Sequence, residues 1–262
     1  MLLAIDVGNT NIVLGVFEGE RLTEGWRLLT MRERTSDELG ILITHLFERS
    51  QIDLARVEGI ILSSVVPPLT RTLEEMCERY FEKRPLTVDP ASNTGMPVLY
   101  KPASDVGADR VVNAVAAYEM YGRASSSPLI VVDFGTATTF DAISKRGEYL
   151  GGVICPGIGI SADALFQRAA RLPRVDIRKP PAVIGETTVT SMQSGLFFGY
   201  VSMVDGIVTR IRGELEDGDR AACVATGGMA DVLAAETSVI QRVEPDLTLQ
   251  GLRIIWHRHA NG

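Results

Sequence analysis

Two turns constrain this 262-residue chain more than any other feature. Asp6-Val7-Gly8-Asn9-Thr10-Asn11 and Asp133-Phe134-Gly135-Thr136-Ala137-Thr138-Thr139 each follow a short apolar run, LLAI in the first case and LIVV in the second. Such runs, sharply bounded, read as buried strands. Glycine lets the turn take φ > 0 and lets a ligand approach the backbone. Backbone N–H groups exposed in such a turn cradle phosphate oxygens, and Asn and Thr side chains add donors. The Asp at the strand end repels phosphate unless a cation lies between them, and hard cations take carboxylate oxygens. The same residue types also make plain hairpin turns. Their recurrence about half a chain apart, each time after a buried strand, favours a nucleotide-and-cation site.

The pattern around each turn repeats as well. After the first come an alternating run (NIVLGVFEG), a return strand (RLTEGWRLLT) and an amphipathic helix capped by Ser36 and Asp37. A buried strand (GIILSSVVP), a helix (LTRTLEEMCERYFEK) and a short strand (PLTVD) follow. DRVVNAVAAYEMYG is helical, with Gly122 as its expected C-cap. RASSSP, residues 123–128, is small, polar and Pro-terminated, and reads as a boundary. Beyond it two strands surround a Lys-Arg-Gly turn. Helices follow near 160–170 and 190–214, then a strand at AACVATGG, a helix at MADVLAAE, a short strand at VIQRV and a last helix at LTLQGLRIIWHRH. The expectation is an α/β chain of two duplicated domains, residues 1–123 and 128–262, with a nucleotide cleft between them.

Other nucleotide motifs fare worse. No Gly-Lys pair exists, so there is no Walker A loop. Gly157-Ile158-Gly159-Ile160-Ser161-Ala162 fits a loose dinucleotide pattern. The strand before it reads as an antiparallel return, however, and no βαβ unit with a distal acidic residue follows. Ala225-Thr226-Gly227-Gly228 ends a strand and opens a helix, suiting either a flat nucleoside or a simple turn.

A further constellation is Tyr100-Lys101-Pro102-Ala103-Ser104-Asp105-Val106-Gly107-Ala108-Asp109-Arg110. Asp109 and Arg110 open a helix, whose N-terminal N–H groups favour anions. Arg110 is suited to gripping a carboxylate in a bidentate fork. Asp109 reads either as a helix cap or as a general base that takes the proton of an attacking hydroxyl. Asp105 competes for that role and is expected to be structural.

Bulk properties narrow the function. The net charge of −7 with no basic cluster argues against a nucleic-acid partner. No apolar run reaches the ~18 residues of a membrane span, and residues 1–7 lack the features of a signal peptide. Cys77, Cys155 and Cys223 fit neither a disulfide framework nor a zinc site, and are expected to be reduced and buried in a cytoplasmic protein.

Taken together these residues resemble the type III pantothenate kinases, within the wider acetate and sugar kinase, heat-shock chaperone and actin fold of ribonuclease-H-like domains. The likeness runs through Asp6–Asn11, Gly107-Ala108-Asp109-Arg110, Asp133–Thr138, Gly151–Gly157, Thr188, Ser191–Gly195 and Thr226-Gly227-Gly228, in order over nearly the whole chain. It implies ATP-dependent phosphorylation of pantothenate to 4′-phosphopantothenate, the first step to coenzyme A. By the resemblance, Asp6, Val7, Gly8, Asn9, Thr10, Asn11, Ile12 and Val13 hold the ATP phosphates, with Asp6 facing Mg2+. Thr136 touches ATP, and Asp133 binds a monovalent cation, K+ or NH4+. Tyr100, Gly107, Ala108, Asp109 and Arg110 contact pantothenate, with Asp109 as proton acceptor. Thr188 reaches it from the second subunit of a homodimer. Neither loop holds a lysine, so cations are expected to neutralise the phosphates. The alternatives are a non-catalytic regulator on the same fold, or another small-molecule kinase of the superfamily.

Overall fold

In the computed structural model, which describes residues 1–260, the chain forms two compact units. Residues 1–116 and the last helix make the first; residues 117–246 make the second. In the first, β1 (Leu2–Val7), β2 (Asn11–Glu18) and β3 (Arg21–Leu29) are an antiparallel meander. β4 (Gly59–Ser64) pairs parallel to β1, and β5 (Leu86–Thr87) parallel to β4, giving the order β3-β2-β1-β4-β5. Helices α1 (Ser36–Arg49) and α2 (Pro67–Phe81) cover the sheet through Leu39, Ile43, Phe47, Leu69 and Leu73, and α3 (Ala108–Ala117) follows.

Local chemistry explains where these helices start. The cap of α1 is Thr35, one residue before the expected pair Ser36 and Asp37. Glu38 lies three positions on and closes a capping box: its N–H donates to Thr35 Oγ1 at 3.3 Å, and Thr35 N–H donates to Glu38 Oε2 at 2.8 Å. Pro67 ends the β4 run and opens α2, where its missing N–H costs nothing. The helical run after Asp109 reaches Gly122 as expected but changes type on the way. α3 gives way at Tyr118–Gly122 to a π turn, and Gly122 is no left-handed cap. A Cβ there would lie 2.6 Å from the Tyr118 ring and 2.9 Å from Leu129, so packing excludes a side chain.

The second unit repeats the sheet. β6 (Leu129–Phe134), β7 (Ala137–Ile143) and β8 (Tyr149–Pro156) form the meander. β9 (Ala222–Thr226) is parallel to β6 and β10 (Arg242–Val243) parallel to β9, so the order is β8-β7-β6-β9-β10. α4 (Ile158–Arg168), α5 (Thr188–Glu214) and α6 (Ala230–Ala234) complete it, with Phe197, Val204 and Val208 of α5 in the core. The strand before Gly157 is the antiparallel return β8, so the dinucleotide pattern there lacks its βαβ frame.

The last helix, α7 (Leu247–Ala260), packs against β1, β2 and β4 of the first unit. This differs from the expected limits of 1–123 and 128–262. The apolar face of α7, with Leu249, Leu252 and Ile255 buried, needs the first sheet to cover it. Residues 123–128 belong to the second unit, where Arg220 donates to Ser125 O and Ser127 Oγ. Residues 261–262, the end of the expected second domain, lie outside the described residues. A Cβ on Gly251 would come 2.2 Å from the carbonyl oxygen of Val112 on α3. Gly251→Ala is therefore expected to force α7 off α3 and cost about 1–3 kcal/mol, read as a fall in the denaturant midpoint.

Cys77 and Cys223 are buried, and desolvation pushes both thiols up to about 12. Cys155 departs from the expectation. It is only partly buried, because β8 is the edge strand of its sheet. No helix among the described residues is long and apolar enough to cross a membrane.

Candidate functional site

The two Asp-x-Gly turns occupy the same place in their sheets. Asp6 is at the end of the central strand β1, opposite Val13 on the antiparallel side and Ser63 on the parallel side. Asp133 is at the end of β6, opposite Thr139 and Thr226 in the same sense. Each carboxylate thus has a small hydroxyl residue as its parallel neighbour. The turns differ in length: Gly8 N–H donates to Asn11 O at 2.9 Å, whereas Gly135 N–H donates to Ala137 O at 3.0 Å, one residue tighter.

The first turn is braced from β3. Thr30 Oγ1 donates to Gly8 O at 2.7 Å and Thr30 N–H donates to Thr10 O at 3.0 Å. Those bonds leave Asn9 and Thr10 exposed, while Ile12 is buried beneath and Val13 half-buried. Val65 N–H donates to Val7 O at 3.0 Å, carrying the end of β4 up beside the turn.

The Asp109 carboxylate stands against the same strand end. A Cβ on Gly107 would meet Asp109 Oδ1 at 2.5 Å and Val65 Cγ1 at 3.6 Å, so Gly107, Asp109 and Val65 are packed together. Asp109 lies in the first turn of α3 and Oδ1 accepts the Arg110 N–H at 2.8 Å. Burial raises its pKa; the Arg110 N–H and the nearby guanidinium pull the other way without cancelling it. Ala108 and Arg110 are buried on either side. Asp105 ends a short 3-10 turn, Ala103–Asp105, and is exposed. Tyr100 lies in the loop before that turn and is 38% exposed.

In the second unit, the strand end and turn that hold Asp133 and Thr136 lie against Gly227. A Cβ on Gly227, which has φ +93°, would lie 2.6 Å from Asp133 Oδ1 and 2.7 Å from the Phe134 backbone. The Thr226-Gly227-Gly228 turn therefore packs on the Asp133 loop. Gly157 N–H donates to Thr136 O at 3.1 Å. Thr188, the first residue of α5, is exposed and lines an open depression of about 590 Å3 with Leu165, Leu172, Glu186 and Met192.

Sequence reasoning passed over two residues. Arg32 donates to Asn9 Oδ1 at 3.4 Å, putting a cation beside a turn that has no lysine. Its signal was available: β3 runs antiparallel to β2, so the residues after Leu29 return to the Gly8–Thr10 end. Arg258, near the end of α7, donates to Thr94 O at 3.0 Å and holds the loop that leads to Tyr100. Nothing in the local pattern signals that contact.

Comparison with known proteins agrees with this layout. The model of the type III pantothenate kinase family matches residues 2–210. The type III pantothenate kinase of Myxococcus xanthus is 58% identical, covering all of both chains, and that of Geobacter sulfurreducens is 54% identical over 99% of both. Among solved structures, a Campylobacter jejuni protein described as a Baf family transcriptional activator superposes with a TM-score of 0.62 at 20% identity, covering 99% of this chain and all of the other. An Arthrobacter polyphosphate/ATP-glucomannokinase superposes at 0.52 and 15% identity, over 100% and 99% of the chains. These two likenesses establish the fold, that of the sugar kinases with two duplicated ribonuclease-H-like domains. With turns, carboxylates and full-length relatives in agreement, the chain belongs to the type III pantothenate kinase family.

Proposed function

We propose that this family member transfers the γ-phosphate of ATP to the hydroxyl of pantothenate, giving 4′-phosphopantothenate for coenzyme A synthesis, through the residues described above. The observation that carries the reading is Asp109: a carboxylate with a raised pKa at a helix N-terminus, packed against the strand end that flanks the Asp6–Asn11 turn. In phosphoryl transfer the protein positions the reactants and stabilises charge. Asp109 accepts the hydroxyl proton as the oxygen attacks, and Arg110 holds the pantothenate carboxylate. Gly107, Ala108 and Tyr100 complete that contact. Residues Asp6 to Val13 hold the ATP phosphates, and Thr136 adds a contact to ATP.

The chemistry of the donors fits two cations. Among the described residues no three His, Cys, Asp or Glu side chains converge on one point, so a dedicated cage is absent. Mg2+ needs none: it keeps several waters and takes one or two carboxylates plus substrate phosphates. The buried hydroxyl of Ser63, beside Asp6, has no hydrogen-bond partner among the described residues and can receive one of those waters. Asp133 is assigned to K+ or NH4+. When bound, these ions neutralise charge on the phosphates.

Thr188 is assigned to pantothenate bound by the other subunit of a homodimer. Supporting this, Ile154, Ile160, Phe166, Val183 and Ile184 are exposed on β8, α4 and the approach to α5, with Ile184 at 85%. A cytoplasmic location goes with the reading. The regulator alternative is disfavoured because Asp6, Asp109 and Asp133 all stand in place.

A coupled assay of ADP release tests the whole. Turnover is expected with ATP, pantothenate, Mg2+ and K+ or NH4+ together, and is expected to collapse when Na+ replaces the monovalent ion. Turnover with a sugar or acetate but not with pantothenate overturns the assignment.

A further inference from the structure

The Asp6–Asn11 turn contains no basic residue, and the chain carries a net charge of −7. A tetra-anionic nucleotide approaching it meets carboxylates unless a nearby cation offsets them. The loop that follows β3 brings two. Thr30 is tied to Gly8 and Thr10 by two hydrogen bonds, so residues 31–34 start from the rim of the turn. The two arginines of that loop have different surroundings. Arg34 is partly buried and directed to the start of α1, where its charge helps the Thr35 hydrogen bonds hold the Glu38 carboxyl below its usual range. Arg32 is exposed and reaches back over the turn, donating through Nη2 to the side-chain oxygen of Asn9 at 3.4 Å. That bond is long for a guanidinium, and it joins a full charge to a neutral amide. A guanidinium has five donors in a planar fork that matches phosphate oxygens.

We infer that Arg32 is a phosphate-binding residue for the nucleotide: its fork takes oxygens of the β- and γ-phosphates and exchanges the long contact to the neutral Asn9 amide for bonds to a charged acceptor. The inference rests on the Asp6–Asn11 turn being the phosphate loop. It assigns to a side chain outside both motifs part of the neutralisation that cations alone were expected to carry. Glu33, exposed beside it, keeps the free loop from being strongly positive, so the attraction is local to the fork.

The test is titration of Arg32→Ala, Arg32→Lys and the wild type with MgATP and, separately, with AMP, which lacks the β- and γ-phosphates. Removing a charged hydrogen-bond partner costs about tenfold or more in affinity. Arg32→Ala is expected to weaken MgATP by about that factor while AMP changes less than about twofold, with Arg32→Lys in between. KM for pantothenate stays within about twofold, and the melting temperature is unchanged because Arg32 is exposed. Unchanged MgATP affinity in Arg32→Ala overturns the inference. So does equal loss for MgATP and AMP, which indicates a distorted turn, and so does a rise confined to the pantothenate KM. A wild-type protein that binds no MgATP at all removes the phosphate-loop reading itself, and the inference with it.

Discussion

Asp109→Asn is expected to lower turnover by about 100-fold or more, the usual size of a lost general base, and to raise stability at neutral pH. The two effects share a cause. Burial raises the carboxyl's pKa in the folded chain above its unfolded value. A group of this kind contributes most to stability below its unfolded pKa, and that contribution is lost as pH rises through the folded pKa. At neutral pH the charged carboxylate therefore costs stability, and the neutral amide removes the cost while keeping Oδ1 as acceptor for the Arg110 N–H. Thermal melts of both proteins should show the variant ahead at pH 7, with the gap closing below the ordinary aspartate range near pH 4. In the wild type, kcat/KM should fall as the pH drops through a value above that range. A variant with full turnover moves the base elsewhere; a variant less stable at pH 7 makes Asp109 a structural cap.

Gly157→Ala is expected to cost both stability and ATP binding. Its Cβ would lie 2.2 Å from Thr136 O and 2.6 Å from Gly135 O. Both are backbone atoms of the loop assigned to ATP, and neither can rotate away. Overpacking of this sort costs about 1–3 kcal/mol, which lowers the melting temperature by about 2–4 °C per kcal/mol in a chain of this size. The displaced loop should also weaken ATP binding in a titration, with pantothenate binding kept. Gly159→Ala is the control, since a Cβ there meets nothing within 4 Å. If both substitutions act alike, Gly157 has no special role. The dinucleotide-like pattern at 157–162 has its explanation here: Gly157 is small because a backbone crosses it.

Much of the fold was readable because it depends on neighbours in sequence. Both meanders follow from alternating runs and tight turns, and Asp6 and Asp133 are marked by ending buried strands. Helix starts were read to within about two residues, and to one at Thr35, where the capping partner lies three positions away. What escaped depends on distant packing. Leu249 and Ile255 mark α7 as amphipathic but do not say which sheet it covers. Tyr118 and Leu129 exclude a side chain at Gly122, so the residue that read as a helix cap is there for space. For the site, the residue types and spacing exposed Asp109, whereas the elevation of its pKa needed the burial around it. Arg32 was within reach, because strand direction alone returns it to the turn. Arg258 was not, since Thr94 lies far from it in sequence.

The placement of α7 bears on the order in which the protein is made. Residues 117–246 are continuous and have all their strands and helices before α7 leaves the ribosome. The first unit begins earlier yet waits for the last helix to cover β1, β2 and β4. Through most of synthesis, the faces that α7 later covers, at Gly15 and Gly59, stay open to chaperones and to wrong partners. The half of the molecule that carries Asp109 is thus begun before the other half and completed after it.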